Sequence, residues 1–161
     1  MTRQDFIDNV EGTQKQLRRF LTALCCGDTA AADDIAQDTY LKAYLGCDAF
    51  RDIKKFNSWI YKIAYNTFLN SKRRPLTEQI SGHADSKIGV SQFETDSSFK
   101  YEELYLALDR LAPNERICLL LYYMEGYDVK EISSITEISP VNIRQHLSRG
   151  RMHLRQLLTN L

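Results

Sequence analysis

The apolar and polar positions of this chain repeat at helical intervals, most clearly near its end. Ser139 is a favourable N-cap and Pro140 suits the first position of a helix, so a helix is predicted to begin there. With successive residues placed about 100° apart, the apolar side chains that follow fall on one stripe, with Gly150 among them. The members of this predicted core stripe are Ile143, Leu147, Leu154, Leu157 and Leu158.

A shorter amphipathic segment precedes this helix. Val129, Ile132 and Ile135 are three positions apart, which predicts one face of a short helix, and residues 136–139 form a break. A short helix, a tight turn and a longer basic helix are typical of a helix-turn-helix motif, whose second helix enters the major groove of DNA. A helical hairpin with a charged surface is the alternative interpretation of the same pattern.

The predicted second helix carries its amide and basic side chains away from the stripe. Arginine and glutamine near the start of such a helix can read guanine and adenine edges, and later arginines can neutralise phosphates. Opposite the stripe lie Asn142, Gln145, Arg149, Met152 and Gln156, and beside it lie Arg144, Arg151 and Arg155.

Residues 56–74 form another patterned segment, "FNSWIYKIAYNTFLNSKRR". One predicted helix face, assigned to the core, holds Phe56, Trp59, Ile60, Ile63, Ala64 and Thr67. The other side carries Tyr61, Tyr65, Phe68 and Leu69 near Lys62 and Lys72. Exposed aromatic rings among cations suit single-stranded DNA, where stacking stabilises by roughly 1–3 kcal/mol per base. The alternative is that these rings pack against another helix of the same module.

An acidic helix is predicted over residues 31–44, "AADDIAQDTYLKAY". Asp33 and Asp34 are expected early in it, where the helix macrodipole favours carboxylates. Gln37, Asp38 and Lys42 extend the polar surface. Composition alone indicates a plain surface helix.

A break separates these patterns into two groups. Pro75 is expected to end the preceding helix, and the residues after it are rich in Ser, Asp, Thr and Gly with weak apolar periodicity. A loop this long is unusual inside one compact domain, so residues 75–97 are interpreted as a linker. The prediction is an all-α chain with helical modules at 1–74 and 98–161.

Composition agrees with an all-α fold and limits the chemistry. The 161 residues are 43% hydrophobic, with only 7 glycines and 3 prolines. No apolar run is long enough to span a bilayer and no signal peptide is evident, so we expect a cytosolic protein without membrane insertion. The cysteines (Cys25, Cys26, Cys47 and Cys118) form no CxxC pair, and the histidines (His83, His146 and His153) have no ligand set nearby. Free thiols, no metal and no cofactor are therefore expected.

A formal net charge of zero hides segregated charge. Residues 47–74 carry seven basic and two acidic side chains, and residues 129–161 carry five and two. Acidic segments separate these two basic islands. Basic islands on patterned helices are typical of nucleic-acid contact, although a solvated helix face is the usual explanation of a single charge run.

Several stretches together resemble the extracytoplasmic-function (ECF) sigma factors of bacterial RNA polymerase. "DDIAQDTYLKAY" resembles the family's region two-point-two helix, and "FRDIKKFNSWIYKIAYNTFLNSKRR" resembles the promoter-melting and minus-ten-reading segment that follows it. "LDRLAPNERICLLLYYMEGYDVKEI" and "VNIRQHLSRGR" resemble region four. The match covers residues 31–74 and 104–158, in the family's order.

The resemblance implies two helical domains, sigma-two and sigma-four, joined by a flexible linker. It implies binding to core RNA polymerase, through the β′ clamp helices and the β flap, binding to promoter DNA, and control by an anti-sigma factor that is often membrane-anchored. It implies no covalent chemistry, so the protein is not expected to be an enzyme. The core-binding candidates on the acidic helix are Asp34, Gln37, Asp38 and Lys42.

The same resemblance supplies candidates for contact with the promoter. Sigma-two captures the non-template strand of the minus-ten element and flips a base into a pocket shaped by the loop at 50–57, which costs a few kcal/mol. The minus-ten candidates are Phe56, Trp59, Tyr61, Lys62, Tyr65 and Asn66. Sigma-four reads the minus-thirty-five element as duplex, and its candidates are Asn142, Arg144, Gln145, Arg149 and Arg151.

Some positions depart from the family pattern. Asp52 stands where the family usually has glycine, so a backbone that needs a positive φ would be strained there, and an acid would lie close to DNA. Residues 140–143 replace a common Gly-Thr-Val run, and His146 replaces a common arginine. The family's minus-thirty-five sequence therefore does not transfer to this chain.

Two rival functions belong to other classes. A plain DNA-binding regulator would use the helix-turn-helix on operators and the first module for sensing or dimerisation, but it has no use for a polymerase-binding helix followed by stacking aromatics. A nucleic-acid enzyme would need a carboxylate cluster for metal or a nucleophile with a base, and no such set is apparent. The sigma factor is the interpretation that accounts for both modules.

Overall fold

The computed structural model of the chain describes residues 1–73 and 97–159, and within these ranges every regular element is helical. The all-α prediction is therefore confirmed for the described residues. The helices are α1 Arg3–Leu24, α2 Thr29–Gly46, α3 Phe56–Lys72, α4 Ser97–Arg110, α5 Pro113–Leu119, α6 Val129–Thr136 and α7 Pro140–Thr159. Short 3₁₀ turns cover Cys47–Ala49 and Ile53–Lys55, and a π-helical turn, Leu120–Met124, continues α5.

The predicted linker, residues 75–97, lies outside the described residues apart from its last position, where α4 begins. We call α1–α3 the first module and α4–α7 the second module. None of the helices in the described ranges is long and apolar enough to cross a membrane.

Side-chain caps start four of the described helices, α1, α2, α6 and α7. Thr2 and Asp5 form a capping box at α1, and Asp128 and Glu131 form one at α6. At α2 the cap is Asp28, whose carboxylate accepts a hydrogen bond from the backbone N–H of Ala31 at 3.1 Å. Each cap satisfies backbone N–H groups that have no partner inside the helix.

Asp28 also changes the interpretation of the acidic helix. With α2 beginning at Thr29, Asp33 and Asp34 lie beyond its first turn, so the prediction that the macrodipole accounts for them is wrong. Asp33 instead pairs with the Arg18 guanidinium on α1, with Nε and Oδ1 2.9 Å apart. Asp34 is exposed.

In the first module α1 packs on α2 and α2 packs on α3. Leu17, Phe20, Leu21 and Ile60 are almost fully buried in its centre. The Phe20 ring also meets the ring of Tyr61 on α3 edge-on, with centroids 5.0 Å apart. The apolar stripe on α3 is therefore buried against α1 and α2.

The second module is built around α7, on which α5 and α6 pack. A Cβ at Gly150 would lie 2.9 Å from Cδ1 of Leu119, so glycine permits the close approach of α5 to α7. Ile143 and Leu147 are buried as predicted. Leu158 is 40% exposed, and its assignment to the core is wrong because it lies near the end of the helix, beyond most of the packing.

The two modules share one continuous apolar cluster, which contains buried residues from all seven helices, including Leu108 of α4. Gly27, with φ of +90°, adopts a left-handed conformation between α1 and α2, and a Cβ there would lie 2.9 Å from the Tyr105 ring on α4. The sequence predicted two modules but gave no indication that they pack together.

The Arg116 side chain, on α5, connects the two modules by hydrogen bonds to backbone carbonyls at helix ends. Its guanidinium, on a residue only 8% exposed, donates to the carbonyl oxygens of Leu108 at 2.8 Å and Leu24 at 3.2 Å. Longer hydrogen bonds reach Asp109 and Leu111. These carbonyls lie at the C-terminal ends of α1 and α4, where the helix dipole favours a cation.

Candidate promoter and polymerase interfaces

The turn between α6 and α7 is fixed by short hydrogen bonds. The Ser133 hydroxyl donates to the carbonyl of Ile138 at 2.7 Å, and the hydroxyl of Thr136 accepts from the Ile138 N–H at 3.2 Å. Ser139 Oγ accepts from the backbone N–H of Asn142 at 3.3 Å, as expected of the predicted N-cap. The structure therefore contains the predicted short helix, turn and longer basic helix.

The buried stripe of α7 determines which side chains face outward. Ile143 and Leu147 lie against α5 and α6, so the opposite face of the helix is free to meet a ligand. All five minus-thirty-five candidates are exposed: Asn142, Arg144, Gln145, Arg149 and Arg151. Their contact with DNA remains a prediction.

Tyr123 is a neighbour of this surface that the sequence did not single out. It is 58% exposed, and its hydroxyl accepts a hydrogen bond from Nη1 of Arg151 at 2.9 Å. The ring lies in the π-helical turn after α5, far from Arg151 along the chain. No periodicity within either segment indicates this pairing.

The residue that ends α6 is held in an unfavourable backbone conformation. Glu137 has a φ of 64°, in the left-handed region that strongly prefers glycine. We predict that Glu137→Gly raises the free energy of unfolding by about 1 kcal/mol, because glycine removes the steric cost of this φ. Urea denaturation, followed by the circular dichroism of the helices, measures the free energy of unfolding. Glu137→Ala is the matched control, since it also removes the carboxylate but keeps the Cβ. Equal stability of the two variants would contradict this explanation.

The four core-polymerase candidates lie on the surface of α2, and all of them are exposed: Asp34, Gln37, Asp38 and Lys42. Lys42 also donates from Nζ to the Thr67 hydroxyl at 3.2 Å, which ties α2 to α3. Two leucines of the same helix are unusually exposed, Leu41 by 59% and Leu45 by 75%. The helical pattern of the sequence does not mark these leucines as exposed, although polar residues around an exposed apolar pair are typical of a protein-docking surface.

The loop before α3 is ordered by aromatic stacking. Phe50 and Trp59 stack face to face, with centroids 4.3 Å apart and planes 9° apart. The Asp52 carboxylate accepts from the backbone N–H of Lys54 at 3.2 Å, and the backbone φ of Asp52 is −98°. Asp52 is not strained, because its φ is negative and glycine is not needed at this position, where the residue caps a 3₁₀ turn.

The minus-ten candidates on α3 differ in exposure from what the pattern predicted. Tyr61 is 3% exposed and Tyr65 6%, and Phe68 is also buried, so their predicted exposure is wrong. Phe56 is buried, as its core assignment requires, Trp59 and Lys62 are half-buried, and Asn66 is exposed. The physical reason is that α3 packs on two sides, against α1 and α2 and against α6 of the second module. The role of these residues at the minus-ten element stays a prediction.

Tyr61 is at the centre of the contact between the modules. Its hydroxyl donates to Oε2 of Glu125 at 2.8 Å, and the Gln16 side-chain amide donates to the same oxygen at 2.6 Å. The Tyr127 ring meets the Tyr61 ring edge-on with centroids 5.6 Å apart. Burial, and then the Glu125 carboxylate, raise the pKa of the Tyr61 hydroxyl, which therefore stays protonated and able to donate.

The described residues contain no group of three His, Cys, Asp or Glu side chains that could hold a metal ion. All four cysteines are free. Burial raises the pKa of Cys25 and of Cys118 to about 12, so both remain thiols at neutral pH.

Comparison with known proteins decides the family. Residues 10–75 match the family description Sigma-70 region 2, and residues 101–154 match Sigma-70, region 4. The ECF RNA polymerase sigma factor SigM of Bacillus subtilis (strain 168) is 31% identical over 144 residues, covering 86% of each protein. This chain is an ECF sigma factor. The resemblance inferred from the sequence motifs is confirmed.

Two further relatives agree with this assignment. The ECF sigma factor EcfG of Rhodopseudomonas palustris (strain TIE-1) is 29% identical over 153 residues, covering 94% of this chain and 83% of that protein. The sigma factor RpoE of Bartonella quintana, solved in complex with the anti-sigma factor NepR, aligns with a TM-score of 0.79 at 25% identity. That alignment covers 97% of this chain and 98% of RpoE. The sigma factor described here binds RNA polymerase and directs promoter recognition for transcription initiation.

Proposed function

We propose that the second module reads the minus-thirty-five element as duplex DNA through the outer face of α7. The observation that carries this assignment is the division of α7 into a buried stripe at Ile143 and Leu147 and an exposed row. Asn142 and Gln145, in the first half of the helix, are able to read base edges in the major groove. Arg144, Arg149 and Arg151 supply guanine readout and phosphate contacts, which depend on salt.

The first module, in this proposal, captures the non-template strand of the minus-ten element. Trp59, stacked on Phe50 beside the loop at 50–57, and the exposed amide of Asn66 are the parts of the surface already accessible. Phe56 shapes the loop from beneath, with its ring centroid 5.9 Å from that of Trp59. Lys62 is assigned to a phosphate contact on the same face, and Tyr61 and Tyr65, which are buried in this structure, would stack on bases only once exposed.

The docking surface for core polymerase is assigned to α2. Asp34, Gln37, Asp38 and Lys42 surround an exposed apolar pair, Leu41 and Leu45. An apolar centre with a polar rim suits helix-on-helix docking to the β′ clamp helices. The second module is assigned a further contact with the β flap.

We also propose control by an anti-sigma protein, because RpoE, which aligns over nearly the whole of this chain, was solved in complex with one. The site of action is the bacterial cytoplasm, where RNA polymerase meets promoters. The protein performs no covalent chemistry of its own in this proposal and needs no cofactor.

A pull-down with purified core RNA polymerase tests the proposal. Wild-type protein should be retained by the polymerase, and Asp38→Lys should weaken binding by at least about tenfold, because like-charge contacts in an interface cost several kcal/mol. Glu11→Lys is the control, since it makes the same change in charge at an exposed position of α1. Binding of folded wild type that Asp38→Lys leaves unchanged would move the contact away from α2. No binding by folded wild type would favour the plain DNA-binding regulator.

A further inference from the structure

Arg151, one of the proposed minus-thirty-five contacts, is held by a side chain from outside its own helix. Its Nη1 donates to the hydroxyl oxygen of Tyr123 at 2.9 Å, although the two residues are 28 positions apart. Tyr123 is 58% exposed and Arg151 is exposed as well, so the hydrogen bond lies at the surface of the second module. It satisfies no buried polar group, and burial therefore does not account for it.

The Tyr123 ring projects from a turn that is anchored in the core. Leu120 and Leu121 of the π-helical turn are buried, and the Glu125 N–H closes the turn by donating to the Leu120 carbonyl at 3.2 Å. The Tyr122 ring meets the Tyr123 ring edge-on, with centroids 5.0 Å apart. Both restraints limit the orientations of the Tyr123 hydroxyl, and π-helical turns are frequent at functional sites.

The close packing of α5 on α7 brings this turn beside Arg151. Gly150, the residue before Arg151, lies against the last residue of α5, where a Cβ would be 2.9 Å from Cδ1 of Leu119. The π-helical turn begins at the next residue, Leu120. The pairing of Tyr123 with Arg151 therefore follows from the helix packing of the module rather than from an isolated surface contact.

The position of Arg151 along α7 assigns it to the phosphate backbone. The helix begins at Pro140, and at about 1.5 Å per residue Arg151 lies about 16 Å further along the helix axis. The major groove is about 12 Å wide, and the first residues of a recognition helix contact the base edges. A side chain so far along the helix is therefore expected at the edge of the groove, beside a phosphate.

The partner of Arg151 is a neutral oxygen, which fixes the guanidinium without cancelling its charge. Elsewhere on the surface an arginine is engaged by a carboxylate, as Arg18 is by Asp33. In the described parts of the chain no acid pairs with Arg151. A guanidinium carries several N–H donors beyond the one given to Tyr123, and these remain for a phosphate. The full positive charge therefore stays available to DNA.

We propose that Tyr123 is a positioning residue of the minus-thirty-five site, whose hydroxyl holds the Arg151 guanidinium in the orientation that binds a phosphate of the duplex. The inference rests on the proposed function of α7. An unrestrained arginine loses rotamer freedom when it binds, and this loss weakens binding. An arginine already ordered by a hydrogen bond loses less, so the Tyr123 hydroxyl strengthens promoter binding without touching DNA.

The test measures the affinity of reconstituted holoenzyme for a fluorescent duplex promoter, selected by the wild-type holoenzyme from a random library. Tyr123→Phe removes the hydroxyl and keeps the ring, and it should weaken binding about fivefold, because a long side chain must then be ordered on binding. Arg151→Ala should weaken binding about tenfold, since a hydrogen-bonded charge is lost. Adding Tyr123→Phe to Arg151→Ala should change nothing further, because the hydroxyl then has no arginine to hold.

Tyr122→Phe is the matched control, since it removes a hydroxyl from the neighbouring exposed ring, and it should bind as wild type does. Methylphosphonate replacement of single phosphates, which removes their charge, locates the contact. At one position of the minus-thirty-five element, replacement should weaken binding by wild type and leave Arg151→Ala unaffected. Absence of any such position would contradict the phosphate contact and overturn the inference.

The same measurements separate this inference from the proposed function. If Arg151→Ala weakens binding and Tyr123→Phe does not, the positioning role is wrong and the proposed function stands. If Tyr123→Phe weakens binding equally with and without Arg151, the hydroxyl acts apart from the arginine and the inference is again wrong. If neither Arg151→Ala nor the joint change of Gln145 and Arg149 to alanine affects promoter binding, α7 does not read the minus-thirty-five element, and the proposed function fails together with the inference.

Discussion

Arg116→Ala should lower the free energy of unfolding by about 3 kcal/mol, since hydrogen bonds from a charged donor contribute about 1.5–3 kcal/mol each and several are lost. The guanidinium is buried and donates to carbonyl oxygens at the ends of two helices from different modules. Alanine removes the guanidinium donors from those carbonyls, of which Leu108 keeps the backbone N–H of Leu111, and it removes the cation from two negative helix ends. Urea denaturation of the full chain, followed by circular dichroism, measures the change.

Arg110→Ala is the matched control for this experiment. Arg110 lies in the last turn of α4 and is exposed, so its removal changes net charge equally without uncovering buried carbonyls. Arg116→Lys should fall between the two, because an ammonium is a point donor that cannot span carbonyls in different directions. A loss in Arg116→Ala no greater than in Arg110→Ala would show that the buried hydrogen bonds contribute nothing net.

Changing Gln145 and Arg149 together to alanine should reduce promoter-specific transcription about a hundredfold, since each good base contact discriminates by about 1–3 kcal/mol. Both side chains are exposed on the outer face of α7, away from the buried stripe at Ile143 and Leu147. The template is a promoter selected from a random library by the wild-type holoenzyme. Retention on core polymerase should be unchanged, because the proposed polymerase surface on α2 is untouched.

The control for that experiment is the pair Arg155→Ala and Gln156→Ala. These residues are exposed near the end of the same helix and offer the same chemical groups. Their loss should weaken binding modestly through lost phosphate attraction, without changing which promoters are used. Equal losses in the two double variants would indicate that α7 contributes charge rather than sequence readout.

The helix-turn-helix segment was predictable from the sequence because its determinants are local. Ser139 caps α7, and Ile143 and Leu147 on one stripe define the buried side, so the exposed side follows. These features need only neighbouring residues and the geometry of one helix. The resemblance to the family then gave the predicted roles of the exposed side chains of α2 and α7.

The second buried face of α3 was not predictable in the same way. Aromatic rings among lysines are found both on surfaces that bind a DNA strand and on surfaces that pack against protein. The sequence pattern alone does not distinguish these two environments. The partner of Tyr61 is Glu125, 64 positions further along the chain and in the other module. No local signal in "MEGYD" indicates that it folds back onto α3.

Arg116 and Asp52 are two further positions whose structure was not predictable from the sequence pattern. In "NERICLLL" the arginine resembles an ordinary surface residue, and its burial follows only from the meeting of α1, α4 and α5. At Asp52 the family's preference for glycine suggested a left-handed backbone that the chain does not adopt. The glycine preference describes the loops of the relatives. In this chain the loop conformation is set locally, by the hydrogen bond from the Lys54 N–H to the Asp52 carboxylate.

The stacked pair Phe50 and Trp59 has a consequence for observing this protein in solution. Trp59 is the single tryptophan of the sequence, and it lies against the loop that precedes α3. Its ultraviolet fluorescence therefore originates from one place, next to the surface proposed to hold the melted promoter strand. In the protein alone the tryptophan is an internal optical reporter, and binding of single-stranded DNA beside this loop can be followed without attaching a dye.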